Sequence, residues 1–580
     1  MSPIQKRIFL LLTIVIGLTR FLAVARSLND WDEALFSLGV AEYDVNLHHP
    51  HPPGYPLFIL AAKAVAFLGV NEFRSLQVIV LLGACLLFPA LVMFARECGF
   101  DFATAVCGAL IFVFLPNVWI YGGTGFSDIP ATTLGIAACW LLLAGRRDAR
   151  AYLLGAIVLG IAAGVRVPNL LIGAVPAIVA TIHRLRARDF RNVALAVLLG
   201  GAIAGGSYLG AALASGTIDQ YRFMLRAQSE YVRTVDSWRS PTRAPLRDVA
   251  KVFFLWPIQQ QQQMGWLSGL ALIGIVAALV RRRWSLLLPL AVFAPFMVLA
   301  WLNLDIEAAG RYAIAYLALH ALFAAHALEV IGRRKGVQAA LATAVVIVFA
   351  VWTWPALRQQ RTTDSPIAGA FSWVARNVPK SAAVYIHGAL GPHGQYLLRD
   401  REKMFYEDPR EISRMRPDTW VVEPSIIEGA HNFVWPRSAL WKIIRRRNFE
   451  AAVLRLSSLI TFGDGWYMQE GVGTETFRWM TKEAHAVLPA MPRRGRLSIH
   501  FYVPVDTIQP PPTIEVRVND AVVERFVGTK AFIEKSWTID SRKDAPNELT
   551  IVTSDVVVPG NGDTRELGLR IDAMSWTPAR

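Results

Sequence analysis

The chain has 580 residues, of which 54% are hydrophobic and only 18% charged, with a formal net charge of +15. Soluble domains run nearer about 45–50% apolar and about 25% charged, so composition excludes intrinsic disorder and an ordinary soluble enzyme as the whole molecule. The basic balance invites a nucleic-acid reading, which stands or falls on where the charges lie.

The apolar residues are concentrated before position 361. Runs near the ~20-residue span of a bilayer fall at about 8–25, 75–95, 102–116, 129–145, 151–165, 168–182, 192–212, 265–280, 284–303, 312–331 and 337–355. No soluble core contains so many uncharged runs in succession, so a polytopic helical membrane region with about eleven spans is predicted over 1–360. Lys and Arg set its orientation. With the N-terminus inside, Lys6-Arg7, Arg96, Arg146-Arg147-Arg150, Arg184-Arg186-Arg188-Arg191, Arg281-Arg282-Arg283 and Arg333-Arg334-Lys335 all fall in cytoplasmic segments. These are 16 of the 30 basic residues before position 361, whereas residues 361–580 hold 29 basic and 26 acidic side chains. The positive charge is thus mainly an orientation signal, and no nucleic-acid partner is needed to explain it. An odd number of spans places 361–580 outside the cytoplasm.

Ala23-Val24-Ala25 resembles a signal-peptidase site, although Arg20 and the acidic stretch that follows suit a retained span equally well. Either way, the chain after residue 26 faces outward. The four cysteines, Cys85, Cys98, Cys107 and Cys139, lie in or beside predicted spans. No disulfide framework is therefore expected in the outward region, and no zinc-type spacing exists.

The first outward loop reads Asn29-Asp30-Trp31-Asp32-Glu33-Ala34-Leu35-Phe36, then His48-His49-Pro50-His51-Pro52-Pro53-Gly54-Tyr55-Pro56. Leu35, Phe36, Leu38 and Val40 have helical spacing. A surface helix is expected over about 33–45, with Asp32 well placed to begin it. Asp30 or Asp32 could serve only as a helix cap, but a cap needs one acid and the stretch offers three. The Pro-Pro-Gly run breaks the chain before a second interfacial helix at about 55–69. His48, His49 and His51 could bind a metal or simply hydrogen-bond at the loop boundary; no partner histidine is evident in the other outward loops.

An acidic pair after the first span, a surface helix and a His-Pro-Pro turn together resemble the GT-C glycosyltransferases. The likeness is closest to the protein O-mannosyltransferase, aminoarabinose-transferase and RgtA/B/C/D-like branch. It extends over roughly residues 1–375. Two further features match in order and sidedness: Ser127-Asp128-Ile129-Pro130 at the outer start of the fourth span, and Gly310-Arg311-Tyr312 opening a late one. That late span lacks the prolines that often follow Arg-Tyr. The resemblance implies a sugar donor carried on a polyprenyl monophosphate and an acceptor hydroxyl on a glycan, glycolipid or protein. It implies inversion with Asp32 as base, and Glu33 and Asp128 orienting the acceptor. Asp30, His51, Arg166, Arg222, Arg226, Arg311 and Tyr312 are the expected substrate contacts. Divalent cations occur in parts of the family, but no ligand set is legible here and no cofactor is assigned.

Basic residues on the outward side run against topology and call for a reason. The segment 213–263 reads as a long loop carrying Arg222, Arg226, Arg233, Arg239, Arg243, Arg247 and Lys251 among Tyr221, Tyr231 and Trp238. It could bind a donor phosphate bidentately or anchor to anionic lipid, and Gln259–Gln263 reads as loop filler. Arg166, alone in an apolar setting, could contact phosphate or snorkel to the interface.

Residues 361–455 read as an outward α/β region, with a helix at 367–378 and strands at 382–387 and 419–422. From 456 to 580 the pattern turns to period two, with strands at 497–503, 513–518, 521–527, 531–539, 548–554 and 567–575, which predicts a β-sandwich. Gly465-Trp466-Tyr467, Arg478-Trp479-Met480 and Asp563–Leu569 resemble a jelly-roll-like module of glycan-associated proteins; Trp466, Tyr467 and Trp479 could touch glycan or pack internally. The expected setting is a bacterial cytoplasmic membrane, N-terminus inside and C-terminal region periplasmic. A lipid-linked-sugar flippase would need charges lining a path through the spans, and these spans are nearly charge-free. A non-catalytic, membrane-anchored glycan-binding protein is the other alternative.

Overall fold

In the computed structural model of the chain, residues 1–256, 265–407, 420–427, 430–436, 449–455, 460–472, 475–490, 493–542, 545–560 and 562–579 are described. The chain forms two compact units, the first built mainly on Met1–Gly369 and the second on most of Ala370–Arg580.

The first unit is helical: α1 (Pro3–Arg20), α2 (Trp31–Ala41), α3 (Pro56–Ala66), α4 (Glu72–Glu97), α5 (Phe102–Val113), α6 (Pro116–Tyr121), α7 (Asp128–Ala144), α8 (Ala149–Val165), α9 (Leu170–Arg186), α10 (Phe190–Ala214), α11 (Ile218–Tyr231), α12 (Leu246–Ala250), α13 (Gly265–Val280), α14 (Leu288–Asn303), α15 (Ala309–Tyr312), α16 (Leu317–Gly332) and α17 (Lys335–Thr362). Every apolar run read from the sequence is helical. Among the described residues, five helical stretches are long and apolar enough to cross a membrane, and a sixth arises if the pair around α15 and α16, bent by 65°, is one span. The count by this measure is below eleven because α5, α7, α8 and α13 are shorter apolar helices and because α1 carries Lys6, Arg7 and Arg20.

The described part of the segment expected to be a long loop after α10 is instead largely helical. Thr217 caps α11, with Gln220 completing a reciprocal capping box, and α12 and two π turns follow. Gln259–Gln263 lies outside the described residues. The segment after α1 is packed into the unit: Gln360 donates to the Ala23 carbonyl and the Ala25 amide donates to the Gly123 carbonyl.

One close approach matters for the site. A Cβ added to Gly83 would lie 2.8 Å from the Pro130 Cα, so α4 and α7 meet backbone to backbone. This seats the first turn of α7, where Asp128 stands, in the buried core.

Helix α18 (Pro366–Asn377) leads into the second unit, which holds α19 (Gly391–Leu397) in part and a five-stranded sheet of order β2-β1-β3-β5-β4. Its strands are β1 (Val384–His387), β2 (Met404–Tyr406), β3 (Trp420–Glu423), β4 (His431–Val434) and β5 (Glu450–Arg455). β1 is parallel to both β2 and β3, while β5 runs antiparallel to β3.

The rest is a sandwich of β6 (Thr461–Phe462), β7 (Trp466–Val472), β8 (Glu475–Met480), β9 (Glu483–Leu488), β10 (Arg494–Tyr502), β11 (Thr513–Val518), β12 (Ala521–Val527), β13 (Phe532–Asp540), β14 (Asn547–Thr553) and β15 (Arg570–Pro578). They form two sheets, β13-β10-β15-β8-β7 and β12-β11-β14-β9-β6. Leu497, Ile499 and Phe501 from one and Ile514, Val516 and Ile551 from the other fill the core between them. Strands β6 to β9 were not read from the sequence as strands; β6 has two residues and β7 is broken by a register shift after Trp466.

Candidate functional site

Three acids in four residues of the first loop take three different jobs. Helix α2 begins one residue earlier than Asp32, because Asp30 is its N-cap and accepts from the Asp32 amide at 3.1 Å. Glu33 completes the capping box and goes further. Its Oε2 accepts from the amides of Asn29 and Asp30 at 2.8 and 3.0 Å, and its Oε1 accepts from the Gly125 amide at 2.7 Å. Glu33 thereby ties the first loop to the segment that enters α7. Burial pushes its carboxyl up to about 7, against the pull of these backbone donors.

Asp32 is the acid whose side chain does no helix-end work. Its Oδ2 accepts from Arg311 Nη1 at 2.8 Å, across 279 residues of sequence. Burial raises this carboxyl, but the Arg311 guanidinium, then His51 and Arg166, outweigh it and hold the group at about 2. Asp32 is therefore ionised throughout the neutral range.

Arg311 stands on the one-turn helix α15 before the bend into α16. It donates to the Tyr312 hydroxyl at 3.1 Å, lies 4.6 Å over the Phe126 ring, and brings Nε within 3.9 Å of Asp128 Oδ2. That Nε is buried without a hydrogen-bond partner. Asp128, in the first turn of α7, pairs in turn with Arg166 at 3.3 Å, and Arg166 also reaches Ser127 Oγ at 3.1 Å. Because α7 and α8 run antiparallel, the start of one meets Arg166 at the end of the other. Arg166 is only 9% exposed, so it does not snorkel. Its guanidinium sits 5.8 Å from the Tyr55 and Tyr312 rings.

The result is an alternating row, Asp32–Arg311–Asp128–Arg166, assembled from four segments. His51 closes its open side: Nδ1 is 3.9 Å from Asp32 Oδ1 and has no hydrogen-bond partner, while Nε2 meets the Tyr55 hydroxyl at 2.9 Å. Burial pushes the His51 imidazole down, against the pull of Asp32. The turn that holds it is shaped by Gly54, at φ 103°, and by Tyr55 at φ 46°. Tyr55 was not singled out from the sequence. Its signal was its place between Gly54 and Pro56, at the start of α3.

The structure brings together Asp32, Asp128, His51, Arg166, Arg311 and Tyr312, with Asp30 and Glu33 as the supports beneath. It does not bring in Arg222 or Arg226. Both are exposed on α11, where Arg222 pairs with Asp219 at 3.5 Å. The link from α11 to the site is Tyr221, whose hydroxyl donates to the Pro53 carbonyl at 2.7 Å. Beside the row, Asn29, Asp30, Glu33, Tyr121, Thr124 and Phe126 line a small cleft. Among the described residues, no group of three or more His, Cys, Asp or Glu side chains could hold a metal ion.

No family model matches the sequence. No curated protein matches it either. In outline the chain is similar to ArnT from Cupriavidus metallidurans bound to undecaprenyl phosphate, at 13% identity over 78% of this chain and 98% of that one, with a TM-score of 0.47. It is also similar to an Archaeoglobus fulgidus oligosaccharyltransferase tethered with an acceptor peptide, at 10% identity, 99% and 98% coverage and a TM-score of 0.46. A third likeness is to the arabinofuranosyltransferase AftD from Mycobacteria, at 11% identity, 99% and 59% coverage and a TM-score of 0.37. No residue role is carried across from them.

Proposed function

We propose that the chain is a membrane glycosyltransferase of the GT-C type, moving a sugar from a polyprenyl-phosphate donor to an acceptor hydroxyl on the outer face of a bacterial cytoplasmic membrane. Residues 1–360 would carry the reaction, with α2 and α3 lying along the membrane surface, and 361–455 and 456–580 would be outward modules. One observation carries this reading: a row of two carboxylates and two guanidiniums, with Asp128, Arg166 and Arg311 buried and Asp32 partly open, assembled from four separate segments of the helical region.

The chemistry follows from the row. Asp32 takes the proton from the acceptor hydroxyl, whose oxygen attacks the anomeric carbon from the side opposite the phosphate. The bond from that carbon to the phosphate oxygen breaks, and polyprenyl phosphate leaves with the electron pair. The anomeric configuration is inverted. Arg311 and Arg166 face the charge that develops on the phosphate, where desolvated guanidiniums act most strongly. Asp128 holds the two guanidiniums in register, and Tyr55 and Tyr312 offer hydroxyls and ring faces to the sugar. Glu33, committed to three backbone amides, is a positioning residue.

A carboxylate held near 2 is a weak base. As Arg311 turns from Asp32 toward the donor phosphate, Asp32 loses its strongest partner and becomes more basic as the donor arrives. His51 Nδ1 then remains as its neighbour.

The test is transfer in membranes from cells overproducing the chain, supplied with a panel of polyprenyl-phosphate-linked radiolabelled sugars. Label should leave the lipid fraction for one donor and appear in a glycan, glycolipid or protein acceptor. Label that stays on lipid for every donor, or merely changes leaflet, contradicts the proposal, the second outcome favouring a flippase.

A further inference from the structure

The outer face of the sheet β13-β10-β15-β8-β7 carries a row of side chains that the transfer chemistry does not use. Strand pairing places Phe532 beside Tyr502, Tyr502 beside Arg570, and Arg570 beside Trp479, so four adjacent strands contribute one residue each to a line across the sheet. The Tyr502 ring lies 5.2 Å from Phe532 and 6.0 Å from Trp479. Arg570 lies between, its guanidinium 4.3 Å over Tyr502 and 4.6 Å over Phe477. Asp572 orients it by accepting from Nε at 2.7 Å and from Nη2 at 3.3 Å.

We propose that this row is a binding platform for a glycan chain. The composition of the face decides the class of occupant. β10 and β13 turn their apolar residues inward, among them Leu497, Ile499, Phe501, Ile533 and Ile539. The alternate positions facing outward are Arg494, Arg496, Ser498, His500 and Tyr502 on one strand and Phe532, Glu534, Ser536, Thr538 and Asp540 on the other. No aliphatic side chain stands among these ten. Two strands that offer rings, hydroxyls and charged groups without a bulky aliphatic suit a ligand with C–H faces and many hydroxyls, which is a sugar. They suit poorly the apolar surface that a docking protein buries.

Internal packing does not account for the outer end of the row. Phe532 is 54% exposed on the edge strand of its sheet, where an uncovered aromatic adds little stability and invites unwanted pairing. With strands about 4.8 Å apart, a line across four of them runs roughly 14 Å, long enough for several linked rings. Trp466, by contrast, is buried in the sandwich core with its indole N–H on the His485 carbonyl, and Tyr467 gives its hydroxyl to the Glu566 carbonyl. Of the three aromatics suggested by sequence, only Trp479 belongs to the platform.

The experiment uses the full chain in nanodiscs, without donor, so its outcome is independent of transfer. The probes are fluorescently labelled linear oligomers of mannose, glucose, galactose, arabinose and N-acetylglucosamine, read by thermophoresis. At least one should bind saturably. Tyr502→Ala and Trp479→Ala should each weaken that binding about tenfold or more, with transfer to a short acceptor unchanged. Phe532→Ala, at an exposed edge position where the fold is least at risk, should weaken it about threefold, and Ser536→Ala should not change it. If no oligomer binds, or if folded Phe532→Ala and Trp479→Ala proteins bind as the parent does, the platform is overturned.

Discussion

Helix α16 has a charge cluster at each end, each built from carboxylates, cations and a histidine and put to different use. At its C-terminal end, Lys335 pairs with Asp101 at 2.6 Å and with Glu329 at 3.1 Å, while His326 and Thr104 both meet Glu329, at 2.9 and 3.0 Å. Asp101 caps α5 through the Thr104 amide, Glu329 lies in the last turn of α16, and Lys335 opens α17. This cluster fastens three helix ends, and the Lys335 side chain is 55% exposed. In the row that Arg311 anchors before α16, neither Asp32, Arg311 nor Arg166 lends its side chain to a helix cap. Charges that cap or fasten helix ends are explained by the fold; charges gathered in a row that do neither ask for a ligand.

The comparison breaks most readily at Arg311. Arg311→Ala leaves Asp32 and Asp128 without their shared partner, so transfer should vanish and stability should fall by about 3–5 kcal/mol, read by thermal unfolding in detergent. Next comes Glu33→Ala, which strands three backbone amides. A loss of roughly 3 kcal/mol is expected, with residual transfer falling in step with the folded fraction. A catalytic role for Glu33 would instead show as lost turnover at full stability.

The pH dependence sharpens the contrast. The Asp32 carboxyl is held below its unfolded value of about 3.9, so its contribution to stability is fully present above that pH and is lost as pH falls toward about 2. Midpoints of the parent and of Asp32→Asn should therefore differ by a constant amount from pH 7 to 5 and converge below pH 4. A gap that already closes between pH 7 and 6 would mean the Arg311 pair does not set the Asp32 ionisation. The smallest effects belong to exposed charges. Lys335→Ala should cost under about 1 kcal/mol with transfer unchanged, and Arg222→Ala and Arg226→Ala should leave transfer within about twofold.

Much of the fold was legible because its patterns are local. The apolar runs became helices, and β11 and β12 matched their predicted bounds, because Pro510-Pro511-Pro512 and Gly528 punctuate them locally. The segment 213–263 misled because it lies between apolar runs and reads as a connection, although Thr217 and Gln220 had the spacing of a capping box. At the site, Asp32, Asp128 and Arg311 were legible from motif order. The division of labour among Asp30, Asp32 and Glu33 was not, because it depends on the Gly125 amide, 92 residues away from Glu33. Arg166 was ambiguous for the same reason: its partner Asp128 is a tertiary neighbour across two antiparallel helices. The aromatic row was hidden because it runs across strands, and sequence reports only along them.

The most direct measurement is Asp32→Asn, a substitution that keeps size and shape and removes the charge. The account predicts a loss of transfer of about 10²–10⁴-fold, with the protein folded and polyprenyl phosphate still bound. Transfer within a few-fold of the parent, by a protein equally well folded, would contradict it.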